Sequence, residues 1–103
     1  MVTNENIDEV LKEFKGRMHI SHNAEDDNLK RLLSFSVLAI KASCGEFDID
    51  GEEDTDIRAK ELVFERTRYA YNDALEYFED NFLSEINRLA IDIELERMKN
   101  EEV

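Results

Sequence analysis

Apolar residues recur along this chain at the spacing of helix faces. Ile7, Val10, Leu11 and Phe14 follow i, i+3, i+4, i+7 and predict a first helix. Asn4 is placed to cap its start, and Gly16 to follow its end. Residues 17–24 break the period. There Met18 and Ile20 alternate with polar neighbours, which predicts an extended or turn-like link that tucks two side chains inward. Leu29, Leu32, Leu33, Val37 and Ile40 then share a face, with Asn23 as a cap and Gly45 beyond the end, predicting a helix over about 24–44. A helix resumes near Thr55, another cap residue, with Ala59, Leu62, Val63 and Ala70 inward. Tyr71, Leu75, Phe78, Phe82, Ile86, Leu89 and Ile93 carry the same period onward. Periodicity leaves open whether residues 56–98 form one helix or two.

Charge order divides that stretch. A helix favours acids in its first turn and bases in its last. Acid-to-base order runs from Glu5 to Arg17, from Glu25 to Lys41, from Asp54 to Arg68, and again from Glu76 to Lys99. Four restarts predict four helices, with a break or kink around 76–81 and Asp80 or Asn81 capping the last. Only residues 90–95 resemble a strand, because Ile91, Ile93 and Leu95 alternate with acids. Helical spacing fits them too, and helix is the default. The expectation is a single all-α domain over residues 1–103: a small bundle of about four helices, an acidic loop between the second and third, and a loose tail over about 97–103.

Charge changes the picture of partners. The chain has 103 residues, 26 acids against 13 Lys and Arg, and a net charge of −13. Ordinary nucleic-acid binding needs cations to displace phosphate counterions, and an anionic membrane surface needs them too. This balance disfavours both. An acidic wall would instead let DNA slide past without sticking. The single cysteine, Cys44, allows no internal disulfide and fits a reducing compartment. No apolar run reaches the length of a membrane span, and the N-terminus lacks signal-peptide character, so a soluble protein made inside the cell is expected.

Candidate chemistry is sparse. With Gly51 as the sixth residue of a calcium loop, Glu46, Asp48 and Asp50 fall at positions one, three and five. The twelfth position is Ile57 rather than a bidentate Glu, and the eighth is Glu53 rather than an aliphatic residue. A solvated, mobile acidic loop is the expectation. His19 and His22 lack further ligands for zinc, and Cys44 reads as a small buried residue. The sequence has no phosphate loop, nucleophile elbow or His-Glu-x-x-His. Neither an enzyme nor a cofactor is expected.

Residues 69–82 hold five of the nine aromatic rings. Tyr71, Phe78 and Phe82 fall on the Leu75 stripe and read as core. Tyr69 and Tyr77 fall off it, and tyrosine suits interfaces. A neighbouring subunit covering Tyr69 and Tyr77 and a wholly internal aromatic core are the two readings. Phe35, Phe47 and Phe64 also need cover.

The order of pieces carries a resemblance. LKEFKGRMHI is followed by AEDDNLKRLLSFSVLAIKASCG, then AKELVFERTRYAYN, then EYFEDNF before a final helix. Over about residues 5–95 this resembles the small head–tail connector proteins, also called head-completion or DNA-packaging proteins, of long-tailed bacteriophages. The resemblance implies a helical subunit in a ring, commonly of twelve copies, docked beneath the portal protein of the filled capsid. Such a ring would extend the DNA exit channel and carry the next connector or tail-completion protein. DNA would pass nearby without sequence-specific binding, no membrane would be involved, and there would be no enzymatic activity. The location implied is the head–tail interface of the virion, after assembly in the bacterial host cytoplasm. By analogy the C-terminal part from Ile86, including Ile91 and Leu95, is a candidate partner interface, joined by Tyr69 and Tyr77. The loop residues Glu46, Asp48, Asp50, Glu52, Glu53 and Asp54 are candidates for the channel wall or the next ring. Copies at −13 each repel at low salt, so the isolated protein is expected to be monomeric, with rings forming on the portal. The alternative is a small acidic regulatory or inhibitor protein that binds a basic protein partner, for instance as a mimic of DNA charge.

Overall fold

The computed structural model describes residues 4–101. Four helices make up the fold, and among the described residues there is no strand: α1 (Asn4–Met18), α2 (Asp26–Cys44), α3 (Asp54–Tyr71) and α4 (Phe78–Glu101), the last entered through a single 3-10 turn, Leu75–Tyr77. Residues 90–95 are helical, inside α4.

The apolar spacing builds the core as read. Ile7, Val10, Leu11 and Phe14 of α1 are buried, as are Leu29, Leu33, Val37 and Ile40 of α2 and Ala59, Leu62 and Val63 of α3. Leu32 and Ala70, expected inward, are only half-buried. Helices α2 and α3 form the central antiparallel pair, because Tyr71 at the end of α3 donates its hydroxyl to Glu25 before α2, at 2.6 Å. α1 lies against both: Phe14 meets Phe64 edge to face at 5.6 Å, and Lys30 of α2 pairs with Asp8 at 2.9 Å. Arg17 clasps both Glu61 oxygens, at 2.8 and 2.6 Å. That pairing holds the Glu61 carboxyl below its ordinary pKa, chiefly through the hydrogen bond itself.

Helix ends depart from the sequence reading. Gly16 does not end α1. The helix runs on to Met18, and His19 takes the left-handed backbone at φ 59°. The His19 N–H bonds back to the Gly16 carbonyl and the Ile20 N–H to the Lys15 carbonyl, the two bonds of a Schellman end. Asp73 repeats this after α3, at φ 55°, with Asp73 N–H to Ala70 and Ala74 N–H to Tyr69. The expected caps are not caps. Asn23 accepts a bond from Lys15 at 2.9 Å, and Thr55 lies one residue inside α3, whose N-cap is Glu53. Asp80 and Asn81 lie inside α4. The Asn4 side chain is outside the described ones. The break between the last two helices exists but sits at residues 72–77, earlier than 76–81, and a kink at Phe82 (φ −118°, ψ 16°) bends α4. The apolar stripe masked it because turn and kink together bring Phe78 and Phe82 back onto one side. Residues 97–101, expected in a loose tail, continue α4, with Arg97 paired to Glu94 and Glu101. Residues 102 and 103 lie outside the described residues.

The molecule is a slab of 48 × 31 × 18 Å. So thin a body leaves one helix short of cover. In α4 only Phe78, Ile86 and Leu89 are buried, and no residue from Ala90 to Glu101 is.

Candidate interaction surfaces

The acidic loop is pinned rather than free. Between α2 and α3 the chain alternates, so Phe47 and Ile49 are buried while Glu46, Asp48 and Asp50 face out. Lys41 stands over the Phe47 ring at 5.4 Å. The Asp56 carboxylate accepts the Asp48 N–H at 2.9 Å, and the Asp48 carboxylate accepts the Asp50 N–H at 3.0 Å. Gly51 lies so close under Asp56 that a methyl group there would overlap the carboxylate. The loop is solvated as expected but not loose: two apolar anchors and two carboxylate-to-backbone bonds hold it. Its outer edge is still acidic, since Glu46, Asp48, Asp50, Glu52, Glu53 and Asp54 are all exposed. Asp54 also pairs with Arg58 at 3.1 Å.

The candidate interface residues divide. Ile86 is 7% exposed and belongs to the core. Its carbonyl accepts the Cys44 thiol at 3.4 Å, and burial raises that thiol's pKa. Tyr69 is half-buried in a three-ring cluster. It meets Phe78 and Phe82 edge to face, at 5.9 and 5.7 Å, and those two rings stack at 5.1 Å. Its hydroxyl accepts a bond from Asn81 at 3.0 Å. Ile86 is therefore corrected to internal packing, while Tyr69 packs half-buried against the start of α4, because the turn at 72–77 folds that start back over α3. Tyr77 (59% exposed), Ile91 (60%) and Leu95 (57%) remain on the surface.

α4 thus has two apolar sides beyond its kink. Ile86, Leu89 and Ile93 face the protein. Ile91, Leu95 and Met98, spaced i, i+4, i+7, face away, with Glu94 on the same side. A surface helix of a monomer needs one such stripe, not two. A second apolar area, which the sequence reading missed, lies on α2, where Phe35 and Leu38 are exposed side by side. Phe35 stays 54% exposed, short of the cover expected for it.

Beside that area is a pocket of about 270 Å³ between α2, α3 and the start of α4, walled by Ala39, Ser43, Arg66, Leu75, Phe78 and Glu79. Arg66 is held there from below. Its guanidinium donates to Ser36 Oγ at 3.1 Å, and Thr67 Oγ1, 3.0 Å from that oxygen, donates to the Val63 carbonyl at 2.8 Å. Ser36 and Thr67 are fully buried, so this polar chain is fixed in the core. A larger groove of about 520 Å³ runs between α3 and α4 over Leu62, Phe82 and Leu89, with a rim of both charge signs.

Among the described residues, no group of three or more His, Cys, Asp or Glu side chains is arranged to hold a metal ion. His19 and His22 are exposed, and His19 has a backbone role. No described helix is long and apolar enough to cross a membrane. No protein-family model, curated protein or solved structure matches this chain.

Proposed function

We propose that this protein is a catalytically silent building block of a phage head–tail junction. In this reading it assembles as a ring beneath the portal and extends the DNA exit channel. The observation that carries the reading is the outward apolar side of α4, Ile91, Leu95 and Met98, on a stretch of helix with no buried residue. A slab this thin gains core by joining others of its kind. The pinned acidic loop supplies a rigid negative edge, which suits a wall that DNA passes without adhering. The ring is catalytically silent because its work lies in contact surfaces.

Mixing the purified chain with a phage portal protein tests this directly. Electron microscopy is expected to show a ring seated on the portal, while the protein alone in low salt sediments as a monomer. If the chain ignores the portal and instead co-purifies with a basic nucleic-acid-binding protein from a test panel, it is an acidic inhibitor and the connector reading fails.

A further inference from the structure

We infer that the outward faces of α2 and α4 dock on each other between copies of this chain, α2 of one molecule against α4 of the next. The inference deepens the proposed assembly and rests on its self-association. It does not depend on the portal.

In a chain of 103 residues with 26 acids, residues 28–45 contain none and form the longest such stretch. They make up most of α2. Arg31, Phe35, Leu38 and Ala42, spaced i, i+4, i+7, i+11, are exposed along its outer side. Lys30 and Lys41 lie at its flanks, and among the described residues Arg31 takes part in no ion pair. This face is therefore apolar and positive on a body of net charge −13. The outward side of α4 has the opposite character. Ile91, Leu95 and Met98 are exposed there, in a stretch that holds Asp92, Glu94, Glu96 and Glu101 against Arg97 and Lys99. Among the described residues no other exposed apolar side chains make such a row: Ile57 and Leu83 stand singly, and Leu75 and Tyr77 occupy the turn.

Spacing matches the two faces. Phe35, Leu38 and Ala42 advance by three residues and then four; read backwards, Met98, Leu95 and Ile91 do the same. Laid antiparallel, the helices bring Phe35 to Met98, Leu38 to Leu95 and Ala42 to Ile91, over about 10 Å at 1.5 Å per residue. The small Ala42 then faces the branched Ile91. The same register sets Arg31 level with the acidic end of α4, near Glu101. Pairing like with like is disfavoured, since two α4 faces set acids against acids and two α2 faces set bases against bases. Nor can one molecule join its own two faces. The Cys44 thiol meets the Ile86 carbonyl, so α2 and α4 of one chain already pack by their inner sides, and their outer sides turn away from each other. Each copy thus offers one face of each kind, the condition for a head-to-tail ring or filament. With so few side chains on a face, a single contact holds loosely and a closed ring, with one more contact, holds better.

Sedimentation of the full chain in about 1 M NaCl, where the Debye length falls to about 3 Å and mutual repulsion is screened, reads the contact. Wild type is expected to grow beyond a dimer as its concentration rises. Leu38→Glu and Leu95→Glu each place an unpaired carboxylate in one face, and each is expected to weaken association by about thirtyfold or more. Mixed in equal amounts, they are expected to form a one-to-one heterodimer of near wild-type affinity that grows no further, because the first keeps its α4 face and the second its α2 face. Both positions are exposed, and circular dichroism confirms that the variants are folded. Either variant associating alone as wild type does, a mixture that stays monomeric, or a wild type that stays monomeric or stops at a dimer at every salt concentration overturns the inference. The heterodimer without any ring on the portal keeps the contact and removes the proposed function. A ring built on the portal by Leu38→Glu alone does the reverse.

Discussion

Among the described residues three carry left-handed backbone, one of them a glycine. Gly45, at φ 110° and ψ −177°, occupies a region essentially closed to other residues, and a methyl group there would lie 2.9 Å from Ile93 Cγ2. His19 and Asp73 hold φ near 60° at the two Schellman ends, where a side chain costs about 1–2 kcal/mol relative to glycine. The direction of substitution is opposite at the two kinds of site. His19→Gly is expected to raise unfolding free energy by about 1 kcal/mol, with the gain cut a little by the entropy of the unfolded chain. Gly45→Ala is expected to lower it by about 2 kcal/mol through strain and collision with α4. Urea unfolding of both variants checks this, and equal effects at the two sites would mean that the backbone assignments are wrong. The sequence directs attention to Gly16 as a helix end. Gly16 has open space around it, and no composition signal marks His19, because the Schellman end is formed by backbone bonds to Gly16 and Lys15.

Among the elements, α4 is where the sequence was hardest to read. The number of helices was legible, since apolar spacing and acid-to-base order both restart with each one. The faces of α4 were not, because apolar residues lie on two of its sides and periodicity weighs both alike. Ile86 and Leu95 look equivalent in sequence, yet one packs beside Cys44 and the other meets water. The loop before α3 was misread for a related reason: its acids dominate its composition, while Phe47 and Ile49 decide its conformation. The pocket beside Arg66 was not legible, because residues 39, 66 and 75 come together only through packing. Truncation separates the two sides of α4. Leu89→Ala removes a fully packed side chain and is expected to cost about 3 kcal/mol. Leu95→Ala is expected to change the isolated protein by no more than about 0.5 kcal/mol, since surface sites seldom do more. Thermal unfolding of the monomer measures both. A large loss from Leu95→Ala would show that the outer stripe supports the fold and is not held in reserve for a partner.

At the scale of the whole molecule, repulsion among like charges competes with local pairing. Ten ion pairs link the described residues at 2.5–3.7 Å, mostly between partly exposed groups, where each is worth up to about 1 kcal/mol. Against them stands a surplus of acids that leaves −13 on a slab only 18 Å thick. These two contributions differ in range. The pairs act within a few ångströms and are partly shielded from ions, whereas the surplus acts across the whole body. At about 0.1 M salt the Debye length is about 10 Å, shorter than each of the slab's three dimensions, so the long-range repulsion is cut first while the close pairs persist. Added NaCl is therefore expected to stabilise this protein even though it weakens individual pairs. Between about 0.01 and about 0.3 M, a gain near 1 kcal/mol corresponds to a rise in Tm of about 5 °C for a domain of this size. Calorimetry on dilute monomer reads the shift free of any association. A Tm that falls with salt would mean that the pairs outweigh the surplus charge. The monomer expected at low salt would then need a cause other than repulsion.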